Sequence, residues 1–511
     1  MISEPLVIGL DSSTTACKAI VVDPRGNVVA GGQASLPMIR PRSGWHEQPA
    51  DSWWEAACQA LQQAVAQVDA KRLAALCVAA QRETFVVTDE AGHPLDHALL
   101  WLDERCRDLL PEIDRQYGRE RIHQETGKPL SANLSLGKLY WLRKERPALL
   151  SPNARILDVH GFLAHRLTGR FATSWGCADP MGLFDMRSNS WNEPLIQAIG
   201  LRAEQFPEAL PVGSLVGEVH GDAARWTGLP AGLPLFAGLG DGQAAGLGAR
   251  AVEQGEAYLN LGTAIVSGTL SRRYLVKRAF RTMIGGIPGS YLLETVLLGG
   301  AYTITWFIEN FAGIRKAEFS SERSPEEMLE AAASQIQPGS AGLTLVPYWN
   351  GAMNPYWDAG ASGIMVGWRG IHGVAHFYRA ILEGIAFEQR LHNEGIEDAT
   401  GQPLRRMIAV GGGARSPLWC QIIADITGKP VFRAGVSEAT ALGAAILAAA
   451  GVGLYPDVLS AALTMARVDP HPFQPEPERR AFYERLYQDV YRHLFPALQN
   501  HLDALADLTG C

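Results

Sequence analysis

Leu6-Val7-Ile8-Gly9-Leu10-Asp11-Ser12-Ser13-Thr14-Thr15-Ala16-Cys17-Lys18-Ala19-Ile20-Val21-Val22 decides how this chain is read. A short apolar run ends on an acid, a hydroxyl-rich turn follows, and Ala19 to Val22 is a second apolar run, the pattern of two buried strands. Pro24-Arg25-Gly26-Asn27 is a turn leading into Val28-Val29-Ala30, which makes the opening a meander. The same arrangement returns at Tyr258-Leu259-Asn260-Leu261, a Gly262-Thr263 turn, and Ala264-Ile265-Val266-Ser267. Two related halves facing one another are expected.

Outward from the opening, Trp54, Ala57, Leu61, Val65 and Val68 recur at helical spacing from about Asp51, and Leu73 to Ala79 is another strand. Apolar runs at Phe85 to Val87 and Arg155 to Val159 are separated by helical segments, so the fold class is α/β. Ser324-Pro325-Glu326-Glu327 is a capping box that starts a helix. Met407 to Val410 leads into Gly411-Gly412-Gly413-Ala414-Arg415-Ser416, with one helix from Pro417 and another from near Glu438 to Ala450. Asp469 to Glu478 is a Pro-rich linker, after which Phe482, Leu486, Val490 and Leu494 mark one helix face until Pro496 interrupts it.

Midway lies Gly238-Leu239-Gly240-Asp241-Gly242-Gln243-Ala244-Ala245-Gly246-Leu247-Gly248. Glycine-rich backbone passes close to a ligand without a Cβ clash, so the Asp241 carboxylate is placed at a cleft floor or caps a helix beginning near Gln243.

A chain of 511 residues exceeds one core and calls for two large domains. Its net charge of −8, without a basic run, argues against nucleic acid. No apolar run is long enough for a membrane span, and Met1 to Pro5 lacks the basic region of a signal peptide. The seven cysteines are scattered, with no C-x-x-C pair, which fits a cytoplasmic protein without a disulfide framework. His372 and His376 share a helical spacing but have no third metal ligand near them.

Turns rich in glycine or hydroxyl groups after apolar strands suit a nucleoside triphosphate held between the halves. In this reading Asp11 supports Mg²⁺ through water, Thr14, Thr15 and Lys18 meet phosphate from one side, and Gly262 and Thr263 from the other. Gly411 to Gly413 is neither a Walker loop nor a dinucleotide fingerprint and is read as an adenosine-binding turn.

Together these motifs resemble the FGGY carbohydrate kinases, a family similar to actin, Hsp70 and hexokinase in clasping ATP between two ribonuclease-H-like domains. Leu6 to Asp23 resembles the first phosphate motif, with Ser13 in place of the usual Gly. Gly363 to Glu383 resembles the C-terminal signature through Gly367, His376, Phe377, Ala380 and Glu383, with Trp368 where an aliphatic residue is usual. Gly411 to Pro417 resembles the adenosine turn, and Glu438 to Ala445 the following helix start. The resemblance implies ATP and Mg²⁺ as cofactors, Asp241 as catalytic base, and Ser13, Gly412, Gly413, Ala414 and Ser416 among the nucleotide contacts.

For the substrate, Gln81-Arg82-Glu83-Thr84 resembles the polyol-binding segment of glycerol kinases, and Asn354 to Asp358 has a similar character. A tyrosine of those enzymes is replaced near Asn133, and Gly242 stands where they carry Gln, so a wider pocket is expected. Lys18 and the segment from Trp45 to Trp54 resemble xylulose kinases, which usually have His at the position of Glu83. The resulting expectation is a small open-chain sugar, foremost a pentulose such as xylulose, with glycerol, erythritol and other polyols as alternatives. Arg82, Glu83, Asn133, Asp241 and Gly242 are the expected substrate residues, unless Arg82 and Glu83 form a surface ion pair. The expected domains are 1–247, 248–468, and a linker with a C-terminal helix at 469–511; a homodimer is left open. An ATP-driven non-kinase protein of the actin or Hsp70 type is the alternative of another class.

Overall fold

The computed structural model describes residues 4–311, 324–349 and 351–509. Cys511 and Met1 to Ser3 lie outside the described residues; the six described cysteines are free and buried. Two six-stranded sheets organise the chain. The first contains β1 (Leu6–Ser12), β2 (Ala16–Val22), β3 (Val28–Ser35), β4 (Leu73–Ala80), β5 (Leu215–Glu218) and β6 (Pro234–Gly240), in the order β5-β6-β4-β1-β2-β3. The opening meander is antiparallel, whereas β4 runs parallel to β1 and β6 parallel to β4.

The second sheet contains β7 (Glu256–Leu261), β8 (Ile265–Ser271), β9 (Arg281–Ile284), β10 (Tyr291–Leu297), β11 (Arg406–Val410) and β12 (Val431–Arg433), in the order β9-β10-β8-β7-β11-β12. β7 and β8 are antiparallel, β10 continues that meander, and β11 and β12 run parallel to β7. The second half therefore repeats the first, as the sequence pattern predicts. Asp11 faces Lys18 one pair from the end of the β1–β2 ladder, and Asn260 faces Val266 at the same place in β7–β8. An amide thus occupies in the second half the position of the acid in the first.

Helix α1 (Asp51–Val65) covers one face of the first sheet, burying Trp53, Ala57, Ala60, Leu61 and Ala64. Beyond β6 the chain turns directly into α2 (Asp241–Gly248). The second half adds α3 (Pro325–Ala333), α4 (Val374–Thr400), α5 (Pro417–Thr427) and α6 (Ala439–Gly451). The capping box at Ser324 and Glu327 is formed in both directions. Although α6 follows the second sheet in sequence, it buries its alanines against Val7, Ala75, Phe236 and Leu239 of the first. Two glycines allow this approach: a Cβ on Gly9 would lie 1.8 Å from the Ala441 carbonyl oxygen, and one on Gly443 would lie 2.0 Å from that of Ala244.

The runs at Phe85 and Arg155 are strands with helices between them, as expected; Phe85–Thr88 and Arg155–Asp158 pair antiparallel in a small four-stranded sheet with its own core. Two expectations require correction. At the C-terminus, the buried face is Tyr483, Tyr487, Tyr491 and Phe495, one residue on from the expected stripe, while Phe482 and Val490 are exposed. Three of these aromatics carry hydroxyls that meet buried or half-buried carboxylates, which apolar periodicity does not reveal. Nor does Pro496 end the helix: α7 (Pro477–Leu486) passes through a wider π-turn at Tyr487–Tyr491 into α8 (Arg492–Thr509), which includes it. Among the described residues no helix is long and apolar enough to cross a membrane.

Candidate active site

Both sheets direct the ends of their central strands into a cavity of ≈170 Å³ between the halves. It is smaller than the roughly 300–1,000 Å³ typical of drug-sized pockets, as suits a small ligand. Arg82, Glu83, Trp101, Asn133 and Asp241 line it from the first half, and Asn260, Gly262, Thr263 and Arg281 from the second. Ala264, Val266, Val296 and Met353 supply an apolar wall.

Asp241 is the first residue of α2, and its side chain does not cap that helix. Its Oδ1 accepts a hydrogen bond from the Gly242 amide at 2.7 Å and forms an ion pair with Arg82 Nε at 2.9 Å. No described donor reaches Oδ2, so one oxygen is held and the other is left for a ligand. Desolvation raises the pKa of Asp241; Arg82 and the Gly242 amide oppose the shift, and Glu294 and Glu83 add to it.

Arg82 and Glu83 are buried, which excludes the surface ion pair. Arg82 Nη1 grips both oxygens of Glu294 at 2.7 and 2.9 Å, and Glu294 also accepts from Arg281 and Tyr258. Burial opposes the charge of Glu294, yet the two arginines keep its pKa below the usual glutamate value. Arg281 reaches across to Glu83 Oε1 at 2.5 Å. Glu83 itself adopts a left-handed backbone, φ 53°, uncommon for a residue with a side chain. Arg281 and Glu294 escape the motif reading because each is a single charge in an apolar strand; that isolation, which demands a buried partner, is the signal that marks them.

Asn133 lines the cavity and donates to the Trp101 carbonyl. Behind it, buried Lys138 donates to the carbonyls of Leu100 and Asn133 at 2.9 and 2.7 Å, tying the two wall segments together. Gly242 does not widen the cavity. A Cβ there would lie 2.7 Å from Glu294 Oε2 and 3.0 Å from the Tyr258 hydroxyl, because the Arg82–Glu294 pair fills that space. Asn354 also stands behind the wall, where its Oδ1 accepts the Val296 amide.

At the turn between β1 and β2, Thr14 Oγ1 accepts from Trp101 Nε1, and buried Gln48 donates to the Thr14 carbonyl. Ser13 turns its hydroxyl back onto the Ala16 carbonyl, Thr15 is exposed, and Lys18 Nζ lies 2.9 Å from Glu438. The Oδ1 of Asp11 is buried and without a hydrogen-bond partner. Desolvation first, and the Asp241 carboxylate second, push its pKa up to about 8. An orphaned carboxylate oxygen beside a second acid fits a divalent cation.

Gly412 to Arg415 forms a single 3₁₀ turn at the end of β11, beside the end of β7. Gly411 has φ 83°, and a Cβ on it would meet Asn260 Oδ1 at 2.5 Å. Gly413 and Ala414 pack within this turn, whereas the Ser416 hydroxyl is engaged, accepting the Trp419 amide and donating to Glu330. The histidines at 372 and 376 accept backbone amides at their own turn. The C-terminal signature is a scaffold: Glu383 accepts from Arg379, Ser340 and Tyr483.

Models of the N- and C-terminal domains of the FGGY family of carbohydrate kinases match residues 6–248 and 257–452. The chain belongs to the FGGY carbohydrate kinases. This family membership sets aside the non-kinase alternative. The chain is 28% identical to a xylulose kinase of Lactococcus lactis over 494 residues, covering 95% of this chain and 96% of the relative. It is 32% identical to a glycerol kinase of Thermococcus onnurineus over 460 residues, covering 88% and 90% respectively. The crystal structure of xylulose kinase from Rhodospirillum rubrum superposes with a TM-score of 0.88 at 27% identity, over 97% of this chain and 99% of that one. The expected two-domain FGGY fold is thereby confirmed.

Proposed function

We propose that this carbohydrate kinase transfers the γ-phosphate of ATP to a terminal hydroxyl of a small open-chain sugar, foremost a pentulose such as xylulose. The observation that carries this reading is the convergence of Asp241, Arg82 and Glu83 on one small cavity beside the phosphate turns. Asp241 Oδ2 takes the hydroxyl proton as the sugar oxygen attacks the phosphorus in line, and ADP leaves. Arg82, through Oδ1, fixes the orientation of the base, while Glu83 and Asn133 receive the remaining hydroxyl groups of the sugar.

Thr14, Thr15, Gly262 and Thr263 line the phosphates, with Ser13 shaping their turn, and Lys18 exchanges Glu438 for phosphate. Gly412, Gly413 and Ala414 receive the adenosine, and Ser416 holds that turn in place. Asp11 would hold Mg²⁺ through water, and the ion would offset charge on the phosphate oxygens. Domain borders near 247 and 468 and a cytoplasmic location complete this reading.

Glycerol or erythritol is the second substrate reading, favoured by Glu83 and by similarity to the Thermococcus onnurineus glycerol kinase. A coupled assay of ADP release across ketoses and polyols distinguishes them. The highest kcat/KM is expected for a pentulose; preference for a three- or four-carbon polyol selects the second reading. Failure of every compound to exceed basal hydrolysis overturns both.

A further inference from the structure

The charged groups of the cavity form one continuous chain of alternating sign. Asp241 binds Arg82 at 2.9 Å, Arg82 binds Glu294 at 2.7 Å, Glu294 binds Arg281 at 2.8 Å, and Arg281 binds Glu83 at 2.5 Å. The chain crosses between the halves twice, since Arg82 and Glu83 belong to the first and Glu294 and Arg281 to the second. Its interior is closed to solvent: the side chains of Arg82, Glu294 and Arg281 are 7%, 0% and 8% exposed. Both ends are carboxylates.

This closure decides what the polar wall offers. A guanidinium recognises a carboxylate by presenting two parallel N–H groups, but both arginines that line the cavity are paired with protein carboxylates, Arg82 through Nε and Nη1 and Arg281 through all three of its nitrogens. The other nearby cations do not line it: Lys128 pairs with Asp179, and Lys138 is spent on the carbonyls of Leu100 and Asn133. Among the charged groups, what remains toward the cavity are the free oxygens of Asp241 and Glu83, which accept hydrogen bonds from hydroxyls and repel an anion. A buried site whose partners are fixed in this way discriminates strongly against a mismatched polar group.

Resting on the kinase reading above, we infer that the site selects uncharged polyols and ketoses against the corresponding aldonates, and that the Arg281–Glu83 pair sets this selection. Arg281 is then a specificity-determining residue: by occupying Glu83 Oε1 it aims Oε2 at the substrate, and by being occupied it offers no fork to a carboxylate.

The test uses the full chain and matched pairs of equal carbon number: glycerol and glycerate, erythritol and erythronate, xylulose and xylonate. Binding is measured by calorimetry with ADP and Mg²⁺ present, and turnover by ADP release in a parallel assay. The uncharged member of at least one pair is expected to bind at least about tenfold more tightly than its acid. Glu83→Gln, which removes one anion and loosens Arg281, is expected to narrow that ratio at least about fivefold, with thermal melting confirming a folded protein. Arg281→Lys, which keeps the charge and loses the fork, is expected to weaken the uncharged ligand without strengthening the acid. Aldonate binding equal to or tighter than that of the uncharged partner, or binding of neither, overturns the inference. Selective binding of the uncharged member without turnover leaves the inference standing and overturns the phosphotransfer reading instead.

Discussion

The Nε of Arg82 lies 2.9 Å from Oδ1 of Asp241, so the proposed base is held by the same guanidinium that grips Glu294 of the second half. Orientation of the base and engagement of the two halves are therefore one structural condition. Distance and charge both bear on how Asp241 behaves.

Replacing Asp241 by Asn removes the proton acceptor while nearly preserving shape. Steady-state kinetics are expected to show turnover reduced at least about a hundredfold, with the affinities for sugar and nucleotide within about tenfold of the parent. In the parent, desolvation raises the Asp241 pKa, so the acid limb of kcat/KM lies above that of an ordinary aspartate, and activity falls as pH drops through it. A full loss of both affinities with turnover retained is the contrary result.

Gly242→Ala separates positioning from pocket width. The added Cβ would lie 2.7 Å from Glu294 Oε2, forcing the Arg82–Glu294 pair to shift. Turnover is expected to fall by roughly ten- to a hundredfold for all substrates, because small displacements of a catalytic group are costly. The ratio of kcat/KM between ketoses and polyols should remain within about threefold. A change of preference without a loss of rate would instead restore Gly242 as a wall of the pocket.

Gly443→Ala probes the contact between α6 and α2. Its Cβ would come within 2.0 Å of the Ala244 carbonyl oxygen, a backbone atom with little room to yield. Overpacking of this kind costs about 1–3 kcal/mol, which denaturant unfolding should register. Since Asp241 begins α2, a drop in turnover should accompany it.

Glu388 gives a stability signature at a distance from the cavity. Burial pushes its pKa up to about 7, against hydrogen bonds from Tyr491 and Tyr348. Between the ordinary glutamate value and 7 the folded chain binds the extra proton, so this group favours folding at acid pH and opposes it progressively up to 7. Glu388→Gln carries no such titration. At about 1.4 kcal/mol per pH unit, the variant is expected to gain roughly 2–3 kcal/mol relative to the parent between pH 5 and pH 8, measured by denaturant unfolding at each pH.

Much of this architecture is legible from local pattern. The strand at Leu6, the turn at Ser13 and their return at Tyr258 depend on nearest-neighbour order, and they appear where expected. Asp241 stands out because glycines surround it. Arg281 and Glu294 do not, because their meaning lies in partners 198 and 212 residues away along the chain. The C-terminal stripe lies one residue from the expected one for a related reason: tyrosines with polar tips occupy the buried face, which apolar spacing does not reveal. Gly242 shows the limit of reading size from sequence, since the space left by a missing side chain is taken by a neighbour.

The seating of α6 against the first sheet imposes an order on how the chain is made. A ribosome that has completed α2 must still add roughly 200 residues before α6 emerges, on the order of ten seconds or more at about 5–20 residues per second. Throughout that interval the back of the first sheet, with Val7, Ala75 and Phe236, lacks its cover. The nascent first half is thus an unfinished sheet with apolar surface exposed, and a protein truncated near residue 248 is expected to aggregate rather than fold.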